Sequence, residues 1–389
     1  MKIAIIGGKL QATEACYLAR ACGMESILID YDSSVPARGI ADVFVCADVA
    51  AKDERAVKAM KEADLVLPAN ENDRVLEAIC EICEENSIPL AFDPEAYSIT
   101  KSKVISDRMM AEWDIPVPAH YPEGKAPYII KPSGESGSTG VTYADSSQAV
   151  EDFLAKCEAP EQWVIEEYIT GPSYSIEVIG VPGNYRTYAV TQIHMDGVYD
   201  CCKVTAPCPV TIEQERHFSD IGKRLAEMVN LHGIMDVEVI DDGEELKVLE
   251  IDARIPSQTP IVVLYSSGMN LLKELADVTL TGDFSDENLA DVYRTDMNNS
   301  DGSFKRRYAV YEHYRRVGNE IIQEGEHSMR DAGALNIREN VLGSRVVVSD
   351  IGQELTGSEF RGIFINWADS ENELDEMRKN TWKSLQSLK

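Results

Sequence analysis

Up to about residue 95, apolar and polar positions fall into two alternating rhythms. Short apolar runs, KIAIIG, SILIDYD, ADVFVCAD, DLVLPANE and IPLAFD, are interleaved with ATEACYLARACG, ERAVKAMKEA and DRVLEAICEICEEN, where apolar residues recur at helical spacing. This repetition of strand and helix predicts a small parallel sheet covered by helices. A helical stretch, TKSKVISDRMMAEWD, follows, and the proline-rich IPVPAHYPEG after it marks a boundary. Residues from about 116 to 290 mix short strands, a glycine-serine loop and helices, as expected of an α+β unit of two lobes. The last hundred residues resume with FKRRYAVYEHYRR, VLGSRVVVSD and GIFINW and end on an amphipathic helix carrying Leu374, Met377, Trp382 and Leu385.

Composition narrows the function. With 67 acidic and 37 basic residues the net charge is -30, which repels nucleic acid and anionic lipid and attracts small cations. No run approaches the roughly 20 apolar residues of a membrane span. The opening MKIAIIGGKL has no long hydrophobic region or cleavage site, and nine cysteines are scattered without a framework, so a reducing cytoplasm is expected. Cys80 and Cys83 form a CxxC inside a helical stretch, without a second pair at zinc spacing, and packing is the expected role. The six histidines show no recurring spacing and are expected to be structural. Gly7 and Gly8 close the first strand, but Lys9, Leu10 and Gln11 stand where a dinucleotide fingerprint needs further glycine. A nicotinamide-dependent dehydrogenase would also leave the later motifs unexplained.

Three later segments carry chemistry. APYIIKP runs into SGESGSTGV, placing Lys131 at a strand end beside a loop able to bend over phosphate. The lysine precedes the glycines, which excludes an ordinary P-loop; the alternative is a solvated lysine before a linker. IMDVEVIDDGEELKVLEIDARIP reads as a hairpin, with Asp236 and Glu238 on one face of the first strand and Glu250 and Asp252 on one face of the second. Any register that keeps the apolar sets on the core side makes the four carboxylates converge, and a divalent cation resolves the repulsion. Arg254 follows, suited to a bidentate grip on phosphate. The alternative is an acid-lined, solvated sheet face. In WVIEEYITGPSYSIEVIG, Glu166 and Glu167 fall where lobes would meet, to receive an adenine amino group or to join the lobes.

In this order and spacing the motifs resemble the ATP-grasp superfamily over about residues 1 to 275. The resemblance implies a Rossmann-like domain over 1–95 and an ATP-grasp domain over 96–290, with helix 96–115 leading into lobes of about 116–168 and 169–290. A small mixed C-terminal α+β domain would follow over 291–389. It also implies magnesium and ATP. The nucleotide contacts would fall on Lys103, Lys131, Ser136, Gly137 and Ser138, on Glu166, Glu167, Tyr168 and Ile169, and on Lys9 and Leu10. Glu238, Glu250 and Asp252 would hold the metal, and Lys131 and Arg254 would be catalytic. Asp252 replaces the common asparagine, and Ser173 stands where related ligases carry a ribose-binding glutamate. Ser267, Gly268, Asn270, Leu271 and Leu272 match the "SGxNLL" pattern.

Within the superfamily the whole chain resembles the ligase family of pyrrolysine biosynthesis, notably through GGKLQATEACYLARACGMESILIDYD and EIDARIPSQTPIVVLYSSG. That resemblance implies an amide made through an acyl phosphate, from the carboxylate of 3-methyl-D-ornithine (or D-ornithine) and the side-chain amine of L-lysine. Carboxylates for the substrate ammonium groups would then be Glu71, Glu177 and Asp236, Glu71 having the alternative role of a helix N-terminal acid. Arg254, Ser175, Ser257, Thr259 and Asn72 would serve the remaining polar groups. An amino-acid or peptide ligase of the same superfamily with another substrate pair is the alternative, as is a non-catalytic nucleotide-binding protein, which the intact acidic hairpin argues against. No single base stands out. A homodimer stays open, as does the role of Lys305, Arg306 and Arg307.

Overall fold

The structure, a computed structural model, describes residues 1–135, 137, 139–285, 306–352 and 359–388. Its first layer is a parallel sheet in the order β3-β2-β1-β4, from β1 (Lys2–Ile6), β2 (Glu25–Asp30), β3 (Val43–Cys46) and β4 (Leu65–Pro68). Helices α1 (Leu10–Ala21), α2 (Glu54–Lys61) and α3 (Asp73–Asn86) connect and cover them. The strands are apolar on both faces because both are covered, one by α2 and α3 around Ile29, Met60 and Ile79 and the other by α1 around Leu28 and Leu67. IPLAFD, expected as a strand, adds only one bridge, Val66 to Leu90. Gly7 turns the chain from β1 into α1 at φ +108°, and a Cβ there would stand 2.5 Å from the Ala69 carbonyl oxygen, so only glycine fits.

Helices α4 (Pro94–Thr100) and α5 (Lys103–Glu112) lead to a small antiparallel sheet in the order β6-β5-β7, of β5 (Tyr128–Pro132), β6 (Thr142–Ala144) and β7 (Trp163–Glu167), with α6 (Ser147–Leu154) on its back. The remaining strands form one sheet. It takes in β8 (Ser173–Val181), β9 (Asn184–Thr187), β10 (Thr191–Met195), β11 (Cys201–Ala206) and, after α7 (Ile212–Met228), the hairpin β12 (Gly233–Asp241) and β13 (Leu246–Asp252). Helices α8 (Thr259–Ser267) and α9 (Leu271–Thr281) come next. The sheet then continues through β14 (Tyr308–Val317), β15 (Glu320–Gln323), β16 (Asn336–Val341), β17 (Ser344–Ser349) and β18 (Glu359–Ala368), and α10 (Glu371–Ser387) closes the chain. The path is β13-β12-β8-β10-β11-β14-β18-β17-β16. The described strands after residue 305 therefore extend the sheet of the preceding unit, with Ala206 facing Ala309 and Lys203 facing Glu312.

The first sheet is fastened to the large one by burial. Helix α1 lies on α8 and α9, where the Tyr17 and Tyr265 hydroxyls are bonded to each other and the Asn270 amide donates to the Leu18 carbonyl at 2.9 Å. On the hairpin, Val237, Val239, Val248 and Ile251 are buried against α7 and its surroundings. At roughly 1.5–3 kcal/mol per fully buried side chain, these fix which face of the hairpin carries the acids. No helix among the described residues is long and apolar enough to cross a membrane.

Candidate active site

The site is built on three adjacent strands. Cross-strand pairing sets Ser175, Glu238 and Glu250 in one row and Glu177, Asp236 and Asp252 in the next, so five carboxylates and a hydroxyl share one face. The side chains between them, Ile176, Val237 and Ile251, point into the core. Burial pushes the Glu177, Asp236, Glu238 and Asp252 carboxyls up, and neighbouring acids push the same way. Ser175 donates to Asp236 through a short hydrogen bond. Neither Glu177 oxygen has a hydrogen-bond partner among the described residues.

Cations approach this grid from two sides. Lys103, in the first turn of α5, reaches Glu250 Oε1 at 2.6 Å and the Glu135 carbonyl at 2.7 Å. Arg254 pairs with Asp252 at 2.9 Å and with Glu71 at 3.0 Å, and the two carboxylates hold its guanidinium above its ordinary value although burial opposes them. A bulge follows Glu238, so that Leu249 has no cross-strand partner. Its carbonyl turns to accept from Lys131 Nζ at 3.1 Å, a use of an irregular strand that the sequence pattern does not announce.

Lys131 also pairs with Glu166 at 2.8 Å, both being buried. Behind them Asp107, His120 and Glu166 converge within 4.8 Å, with His120 Nε2 3.2 Å from Asp107. With Lys131 already on Glu166, this cluster braces the lysine. Glu167 accepts from the Ala119 amide at 3.2 Å and pairs with Lys247 at 3.3 Å. The carboxylates of Glu166 and Glu167 are thus engaged between the lobes, and both residues line a cleft of about 520 Å³ together with Lys103, Lys131, Tyr168, Ile169 and Ser173.

A second cavity, of about 410 Å³, opens at the carboxyl ends of β1, β2 and β4, where open parallel sheets ordinarily bind ligands. Lys9 and Leu10, expected among the nucleotide contacts, line this cavity and not the interlobe cleft; Glu71, Asn72, Arg254 and Ser257 line it too. Glu71 is reached by Gln11 Nε2 at 2.8 Å, and Asn72 caps α3 by accepting from the Arg74 and Val75 amides. A chamber of about 100 Å³ joins the two cavities, lined by Asp236, Glu238, Glu250, Asp252, Ser257 and Thr259. Ser175 and Glu177, on the third strand of that face, are fully buried and line none of the three. Gly137 borders the cavity and the chamber; Ser136, Ser138 and Lys305 lie outside the described residues. Arg306 pairs with Glu215, and Arg307 with Asp369.

Sequence reasoning missed one wall. A short 3₁₀ turn, Glu326–Asp331, brings Glu326, His327 and Arg330 to the second cavity, and Glu326 accepts from Ser257 Oγ at 2.6 Å. These residues fall in one polar stretch, GEHSMRD, about seventy residues beyond the hairpin, and only strand pairing in the large sheet brings it back. Glu14 of α1 was missed as well. Buried under the start of α8, it accepts from the Ile261 amide at 2.7 Å, and burial pushes its carboxyl up to about 8.

Lysines flanking an interlobe cleft, an acid grid able to hold a divalent cation, and an arginine at the mouth of a small-molecule cavity are the parts of a nucleotide-driven ligase. The profile of the ATP-grasp domain matches residues 100–258. The 3-methyl-D-ornithine–L-lysine ligase of Methanosarcina mazei is 40% identical over 273 residues, covering 70% of this chain and 70% of that one. Among solved structures, the biotin carboxylase–β,γ-ATP complex from Campylobacter jejuni superposes with a TM-score of 0.72 over 98% of this chain and 91% of its own, at 16% identity. The biotin carboxylase domain of Hydrogenobacter thermophilus 2-oxoglutarate carboxylase, in complex with MgADP, ADP and bicarbonate, gives 0.71 over 97% and 89%, also at 16%. The chain belongs to the ATP-grasp carboxylate–amine ligases, in the family of the 3-methyl-D-ornithine–L-lysine ligases. It is an ATP-dependent enzyme that forms amides.

Proposed function

We propose that this ligase joins the carboxylate of 3-methyl-D-ornithine, or of D-ornithine in its place, to the side-chain amine of L-lysine. The observation that carries the reading is the lining of the 410 Å³ cavity: the cations Arg254, Arg330 and Lys9 are outnumbered by the acids Glu71, Asp30, Asp32, Asp48 and Glu326, and Arg254 stands beside the acid grid. A diamino acid has the complementary pattern, one carboxylate and two ammonium groups, and the chain's net charge of -30 attracts it. The substrates in the name of the 40% identical relative are of this class.

ATP would lie in the interlobe cleft, with Lys103 and Lys131 directed at its phosphates and the backbone of residues 166–169 along its base. Glu238, Glu250 and Asp252 fit magnesium: they offer oxygen alone, they converge from facing strands, and burial pushes the Glu238 and Asp252 carboxyls up. When bound, magnesium would neutralise phosphate charge. Arg254 orients the attacking carboxylate, and the lysines neutralise the transferring phosphoryl group, so the residues act mainly by positioning and electrostatics.

The test is ADP release by purified protein with magnesium-ATP and D-ornithine, with and without L-lysine, followed by mass detection. Lysine-dependent release with an amide of the two supports the assignment. Release with another amino-acid pair only would move the protein to a different member of the same ligase class.

A further inference from the structure

Amide formation needs a base, because the amine enters as ammonium and attacks only with its lone pair free. The acid grid is a poor candidate, being committed to cations. The 3₁₀ turn at the cavity wall offers another group. His327 Nδ1 stands 2.7 Å from Asp200 Oδ1, and the His327 amide donates to Asp200 Oδ2 at 3.0 Å. One carboxylate thus holds both backbone and ring, and Asp196 from the same hairpin turn accepts from the Gly325 amide at 3.0 Å. Gly325 admits this contact, since a Cβ there would stand 1.9 Å from Asp200 Cγ.

With Nδ1–H committed to Asp200, the lone pair is on Nε2, a buried nitrogen with no hydrogen-bond partner among the described residues. That nitrogen faces the glycine-serine loop: a Cβ on Gly137 would lie 2.4 Å from it. Gly137 and His327 line one cavity together with Arg254, so Nε2 lies at the junction of the phosphate loop and the space where the activated carboxyl must lie. The charged groups around it are Asp196 and Asp200 from the hairpin turn, Glu326 and Arg330 on its own turn, and Arg254 and Glu71 across the cavity, and the imidazole of His313, which burial pushes down to about 3, lies behind on β14.

We propose that His327, oriented by Asp200, is the general base of the second half-reaction. The inference rests on the ligase reading given above. Nε2 takes a proton from the incoming ammonium. The freed lone pair forms the C–N bond as the C–O bond to phosphate breaks, and that electron pair leaves on the phosphate. The leaving phosphate takes the second N–H proton, and the imidazolium returns its own to water.

Hydroxylamine separates the two halves, because it is already neutral near pH 7 and captures an acyl phosphate without a base. His327→Gln is expected to lower amide formation from D-ornithine and L-lysine by about 10²-fold, the usual contribution of a general base, while hydroxamate formation from D-ornithine stays within about threefold. Asp200→Asn should show the same split with a smaller loss. Equal loss of both products, or amide formation unchanged, overturns the assignment of the base. Absence of hydroxamate from the unaltered enzyme would instead sink the substrate reading on which it rests.

Discussion

Glu14→Gln should make the protein more stable, increasingly so as pH rises. Glu14 is 1% exposed, accepts the Ile261 amide at 2.7 Å, and leaves its second oxygen without a hydrogen-bond partner among the described residues. Burial is the dominant cause of its rise from 4.5 to about 8, opposed by the amides at the start of α8. A folded-state value above the unfolded one means that the native state binds the extra proton. The carboxyl's contribution is therefore fully favourable below pH 4.5 and is lost as pH climbs from 4.5 through about 8. Across that window the slope is about 1.4 kcal/mol per pH unit, so the cost at pH 7 is on the order of 3 kcal/mol. Glutamine keeps an acceptor for the Ile261 amide and carries no charge. Urea unfolding of both proteins at pH 6, 7 and 8 should give a stability difference that favours the variant and widens by roughly 2 kcal/mol from pH 6 to pH 8. A pH-independent difference, or a variant that is less stable at pH 8, would refute the reasoning.

Glu250→Gln and Asp252→Asn should each cut ADP release by about 10²-fold or more, while their thermal midpoints stay within a few degrees of the parent, since deleting one of several converging charges relieves repulsion; parallel loss of fold and turnover would count against a metal role. Lys131→Met leaves Glu166 buried without its cation and should cost about 3–5 kcal/mol in urea unfolding. Adding Glu166→Gln should recover most of that stability and none of the activity, and recovery of both would remove Lys131 from the chemistry.

The hairpin shows why part of this site was legible. Alternation alone put Asp236, Glu238, Glu250 and Asp252 on one face, and the observed register pairs them as that pattern required. The first sheet was legible for a similar reason: strands covered on both faces are apolar throughout, and helices with one buried face carry a periodic stripe. What stayed hidden depends on contacts distant in sequence. Glu14 and Ile261 are separated by 247 positions, and Asp200 and His327 by 127. Neither pair leaves a periodic trace. The bulge that frees the Leu249 carbonyl is also silent, because one unpaired residue in a strand does not disturb its hydrophobic pattern enough to announce itself. Which cavity Lys9 and Leu10 line was not legible for a different reason: residues following a paired glycine suggest phosphate whichever cavity the turn faces.

The pairing of β11 with β14 has a practical consequence for anyone dividing this chain. A fragment ending before residue 306 would strip β11 of its neighbour and bare the backbone donors and acceptors of Lys203–Ala206, an open template for adding a strand from another molecule. Such a fragment should self-associate before it could serve as a minimal enzyme. Exchanging the final segment between relatives likewise means matching a ladder of hydrogen bonds residue by residue.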